Sequence, residues 1–113
     1  MTEEHARELL ARERARIQRA LAELTDRADA GELSHLDQHP ADYATDLADR
    51  ELEAGMAERL RDELGAVERA EQRLAQGVYG RSVESGKPIP DERLELIPWA
   101  ERTAQEEAAY GRA

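Results

Sequence analysis

Asp37, His39, Asp42 and Asp46 lie within a span of ten residues, and carboxylates and imidazole are competent ligands for a divalent cation. A run of solvated acids needs no ion, however. A carboxylate early in a helix also complements the positive end of the helix dipole and accepts bonds from free amides. No resident metal is therefore expected at this stretch. His5, His35 and His39 are too dispersed to form an acid–base group, and Ser82 and Ser85 have no base at motif spacing. The glycines are scattered rather than gathered into a phosphate loop. Cysteine is absent, which excludes disulfides, thiol catalysis and thiolate metal sites. Enzymatic activity is not expected.

Two leucine-patterned stretches must position these residues. From Thr2 to Arg27 there is neither Pro nor Gly, and Leu10, Ile17 and Leu24 recur every seven residues with Leu21 and Ala28 in the adjacent stripe. The pattern predicts one amphipathic helix, ending around Asp26–Gly31, where Gly31 supplies the left-handed residue common at helix ends. Pro40 disfavours helix at His39 and suits the first turn of a new one. A second helix is predicted from Pro40 or Ala41 to Gln76, with Leu47, Met56, Leu60, Leu64, Val67 and Leu74 as its stripe. Gly55 and Gly65 fall inside it as close-packing or tolerated positions, each costing about 1 kcal/mol relative to Ala. Two such helices can pair as an antiparallel hairpin.

Beyond Gly77 and Gly80 the chain carries turn signals at Ser85–Lys87, Pro88 and Pro90. A turn-rich knuckle that could include a two-stranded hairpin is predicted over residues 81–97. A third helix is predicted from Pro98 to Tyr110, with Pro98 in its first turn and Gly111 at its end. Trp99 is expected to pack the knuckle onto the base of the hairpin.

The 113 residues are 37% charged and only 4% aromatic, with a mean hydropathy of -0.83. This suits one small domain with a thin core, in the Ala, Leu, Arg and Glu composition of long helices rather than of a sheet. No apolar run approaches the roughly 18 residues of a membrane span, and the acidic start does not resemble a signal peptide. A cytoplasmic protein is expected. Of the net charge of -10, -7 falls between Asp26 and Glu53, where nine carboxylates stand against two arginines. Such a field repels phosphates, so direct nucleic-acid binding is not expected. A basic channel or cleft on a partner protein suits it better.

The segments HPADYATDL, QGVYG and SGKPIPDERLELIPWA, in that order around a long helix, resemble the DksA/TraR family of bacterial transcription factors, in particular its short YteA-like branch. The resemblance covers about Leu33 to Glu107. It implies a coiled-coil hairpin on a globular base, and a partner, RNA polymerase, entered through its secondary channel with the hairpin tip near the catalytic centre. In that family four zinc-binding cysteines follow the YG and the RLE-x-x-P segment. The corresponding positions here are Ser82, Ser85, Thr103 and Glu106, which do not make the four Cys or His donors that zinc requires. A metal-free base without cofactor is therefore expected, with the folding energy that zinc supplies replaced by packing of Val83, Ile89, Leu94, Leu96, Ile97 and Trp99, helped by Val78 and Tyr79. The family's tip pattern, Asp-x-x-Asp-x-Ala, meets His39-Pro40-Ala41-Asp42-Tyr43-Ala44 here. Asp42 and Ala44 match, His39 replaces the first acid, and Asp37 could substitute for it in space.

Together these readings predict an all-α-dominated chain. Residues 1–77 form the helical hairpin, with its tip at about 31–46, and residues 78–113 form a zinc-free, degenerate zinc-finger-like base with a short C-terminal helix. The function expected from the resemblance is transcriptional regulation by a monomer. The alternative is a coiled-coil interaction protein that self-associates or docks on another partner.

Overall fold

The computed structural model describes the backbone of residues 1–34 and 40–111 and the side chains of 1–27 and 45–111. Four helices follow in order: α1 (Glu3–Ser34), α2 (Pro40–Ala75), α3 (Asp91–Leu96) and α4 (Ala104–Tyr110). No strand occurs among the described residues. α1 and α2 pack extensively on each other. They run antiparallel, as the cross-hairpin ion pairs Arg14–Glu71 and Arg16–Glu63 record. Such half-exposed pairs contribute little energy, but they fix which turn of one helix meets which turn of the other.

The heptad positions become the core. Leu10, Ile17 and Val67 are fully buried, and Ala6, Ala70 and Leu74 complete the cluster, with Leu21, Leu60, Leu64, Tyr79 and Trp99 packed against it. Each fully buried Leu, Ile or Val contributes roughly 1.5–3 kcal/mol through removal of apolar surface from water. The stripe does not stay buried along all of α2: Leu47 is exposed, Leu52 is 63% exposed and Met56 37%. The expected burial of Leu47 and Met56 is thus corrected. At their level an open groove lined by Arg50, Glu53, Ala54, Ala57 and Arg61 of α2 and Leu21, Leu24 and Thr25 of α1 lies between the helices, while Leu47, Leu52 and Met56 stay exposed.

α1 does not end at Gly31 but continues to Ser34. One helical glycine costs about 1 kcal/mol, which weakens a helix without stopping it, and no proline intervenes before Pro40. α2 starts at Pro40 as expected and passes through Gly55 and Gly65. It ends in a Schellman motif: Gly77, at φ +77°, donates to Leu74 O at 3.2 Å, and Val78 N–H donates to Arg73 O at 2.9 Å.

The expected two-stranded hairpin reduces to a single antiparallel bridge between Arg81 and Pro88, tied by Ser82 N–H to Lys87 O and Ile89 N–H to Gly80 O. Leu94 belongs to α3, a helix the sequence reading did not foresee; Pro90 precedes it, and Asp91 and Glu92 complement its first turn. Pro98 and Trp99 lie in a turn outside any helix, so the third predicted helix starts later, at Ala104. A second small core forms from Ile89, Leu94 and Ala100, with Tyr79 and Ile97 against it. Pro98 is fully buried, and Tyr79 Oη donates to its carbonyl at 2.8 Å. Val78 and Val83 are about half exposed and Leu96 is 80% exposed, so these three do not replace the metal as expected. Tyr79 and Trp99 do pack the knuckle onto the hairpin.

Candidate functional site

Asp42 and Ala44, the matched tip residues, lie in the first turns of α2, with side chains outside the described residues. Asp37 and His39 lie wholly outside them. The described part of this end is strongly acidic at its surface. Asp49 and Glu51 are exposed and Asp46 and Glu53 half-buried, against a half-buried Arg50. Between α1 and α2 an open groove of about 330 Å³ is lined by Leu21, Leu24, Ala54 and Ala57 with Arg50, Glu53 and Arg61 at its margins.

At the opposite end Ser82, Ser85, Thr103 and Glu106 converge. Ser82 is buried, 5% exposed. Its Oγ accepts from Glu84 N at 3.1 Å and Ser85 N at 3.3 Å, which leaves its one proton to donate. Ser85 Oγ accepts from Lys87 N and likewise keeps its proton free. Both hydroxyls favour the charged form of the nearby Glu106 carboxyl. Thr103 N–H donates to Glu106 Oε1 at 2.9 Å, and Glu106 N–H donates to Thr103 Oγ1 at 3.2 Å, a capping box that opens α4. The Thr103 amide first, and then the Ser82 and Ser85 hydroxyls, hold the Glu106 carboxyl down at about 2. One carboxylate and three hydroxyls do not fit zinc, which takes thiolate, imidazole or several carboxylate donors. Among the described residues no group of three or more His, Cys, Asp or Glu side chains could hold a metal ion.

A second polar layer sits beside the first. Glu101 receives Arg69 Nη2 at 2.8 Å and lies 3.9 Å from Arg73 Nη1. Burial pushes Glu101 up, but Arg69, supported by Arg73 and Arg102, outweighs it and holds the carboxyl below its ordinary range. Burial lowers the Arg73 guanidinium, whose Nε and Nη2 find no hydrogen-bond partner among the described residues. The half-buried Tyr79 is pushed up to about 12 by its partial burial. Arg102 reaches Glu84 at 3.6 Å and Glu107 at 3.8 Å, and its guanidinium lies 3.7 Å from the centre of the Tyr110 ring.

Two features here escaped the sequence reading. Thr103-Ala-Gln-Glu106 is a capping-box pattern, a local signal carried by the same two residues that stand at the family's metal positions. The Arg102 contacts depend on spatial neighbours and leave no local signal.

No family model matches the chain. Two proteins of Bacillus subtilis (strain 168) resemble it. The uncharacterized protein YteA is 41% identical over 75 residues, 66% of this chain and 31% of that protein. General stress protein 16O is 40% identical over 81 residues, 71% of this chain and 50% of that protein. The chain therefore spans half or less of the length of these curated relatives. Among solved structures, the transcription factor DksA2 from Pseudomonas aeruginosa matches with a TM-score of 0.82 at 27% identity, over 97% of this chain and 83% of that one.

Proposed function

We propose that the chain, which is similar to DksA-like transcription regulators, is a regulator of that kind and acts on RNA polymerase by entering the secondary channel with the distal end of its hairpin. The single observation that carries this reading is the match to a transcription factor over 97% of the chain, because it extends through hairpin and base alike. The reach is adequate: the 36 residues of α2 span roughly 54 Å at 1.5 Å per residue. Acidic residues crowd the distal half, which suits a basic passage and repels free nucleic acid.

In this reading residues 1–77 are the probe and residues 78–113 the base that sets its angle. Asp42, with Ala44 beside it and Asp37 and His39 preceding, acts electrostatically near the polymerase's catalytic centre. It transfers no proton, and the protein is a monomeric, non-enzymatic regulator of the cytoplasm. No described helix is long and apolar enough to cross a membrane.

Binding to core polymerase and transcription from a stable-RNA promoter test the proposal together. The intact protein should bind and should change promoter output; failure of both would defeat it. Asp42→Asn should weaken regulation more than binding, which should stay within about fivefold, because a single ion pair at a solvated contact contributes roughly 0–1 kcal/mol. Equal loss of binding and regulation would argue against a tip-specific role. A stable dimer in sedimentation, closing over the exposed Leu52 and Met56, would instead favour a self-associating coiled coil.

A further inference from the structure

We propose that Glu101 is the latch that holds the base against the hairpin, and that it works through Arg73: without the carboxylate a buried cation is stranded, and the base lifts off α2 so that the guanidinium reaches water. Glu101 is thereby a positioning residue for the shaft. Its bearing on transcription rests on the polymerase reading; the latch itself does not.

Arg69 and Arg73 stand one turn apart on α2, so both reach a single group on the base. Glu101 takes Arg69 with both carboxylate oxygens, at 2.8 Å and 3.4 Å, and lies 3.9 Å from Arg73 Nη1. Its backbone is fixed as well, because its carbonyl accepts Val83 N–H at 2.8 Å. The two arginines differ in what they need. The Arg69 side chain is 54% exposed and is hydrated when released, whereas that of Arg73 is only 13% exposed. Arg73 Nε and Nη2 are buried without a hydrogen-bond partner, and Glu101 is the one ion-pair partner that the described residues give it. Removing one member of a buried pair leaves the other charge uncompensated, which costs far more than the pair contributes. Two further polar ties between hairpin and base, His5 to Glu95 and the Met1 amino group to Asp91, end on carboxylates that are 49% and 65% exposed and contribute little.

The chain has no cysteine, so a single introduced thiol reports local opening by its rate of alkylation with iodoacetamide. Ala66 is buried on α2 and shares a cleft with Trp99, Ala100 and Glu101 of the base, so Ala66→Cys reports the joint. Val67, fully buried in the hairpin core, provides the control Val67→Cys. Glu101→Gln should accelerate alkylation at position 66 about tenfold and change it at position 67 by less than about twofold. Adding Arg73→Met, which removes the stranded cation and keeps much of its bulk, should return the rate at position 66 to within about twofold of its parent. Adding Arg69→Met instead should bring no recovery.

An unchanged rate at position 66 in Glu101→Gln would overturn the proposal. Equal acceleration at positions 66 and 67 would overturn it too, since the whole hairpin would then be opening rather than the joint. Recovery with Arg69→Met, or none with Arg73→Met, would take Arg73 out of the latch and sink the mechanism.

Discussion

Protonating Glu106 weakens the capping box that opens α4, in which its carboxylate accepts the Thr103 amide at 2.9 Å. Its carboxyl sits at about 2 in the folded chain, below the ordinary 4.5, so the folded base favours the charged form. The stabilisation is complete above about 4.5 and fades as pH falls toward 2. The chemical shifts of residues 103–107 should therefore move in that window, and in Glu106→Gln the local stability of the base should lose its dependence on pH there. Sequence could name Ser82, Ser85, Thr103 and Glu106 only as positions where ligands were missing. That the 82–85 loop meets the segment before α4 follows from Val83 N–H donating to Glu101 O and from Arg102 reaching Glu84, a closeness in space that no spacing rule supplies. The capping box, Thr103 with Glu106, is within reach of sequence because it is local. At the other end Asp42 and Ala44 fall on α2, while the surroundings of their side chains lie outside the described residues.

At the scale of elements, two glycines, one within α2 and one just past its end, make opposite demands. Gly55 lies in mid-helix, and an added Cβ would meet nothing within 4 Å. Gly55→Ala should therefore stabilise the protein by about 1 kcal/mol. Gly77 holds φ at +77° in the closing turn, where a side chain is strained, so Gly77→Ala should destabilise by about 1 kcal/mol. Urea midpoints of the two variants should move in opposite directions at similar slope. The long helices were legible because seven-residue spacing over several turns is a strong signal. Their ends and the short helices were less so. Gly31 suggests a stop, yet a lone glycine only weakens a helix, and α3, six residues long, is too short for periodicity to register. Pro98 misled in the same way: it can open a helix, but here it is buried as the acceptor for Tyr79.

The whole molecule measures 56 × 33 × 20 Å, and its apolar packing is unevenly spread along the longest direction. Leu10, Ile17, Val67 and Leu74 are sealed near the knuckle, while Leu52 and Met56 face outward and arginine and glutamate flank alanines between the helices. Opening free energies should follow that gradient. Native-state hydrogen exchange should be slowest at residues 6–17 and 67–74 and grow faster toward residues 50–57. Ile17→Ala should cost roughly 2–5 kcal/mol and abolish the slow set as a unit. Uniform protection along both helices would contradict the gradient.

Mechanically, a shaft clamped at one end behaves as a cantilever. A tilt of roughly 5° where Tyr79 and Trp99 grip the hairpin would carry a point roughly 40 Å away along the helices through about 3.5 Å. Aim at the far end is thus set by the fit of two aromatic rings at the near one. Damage to that grip would misdirect the shaft while its helices stayed whole.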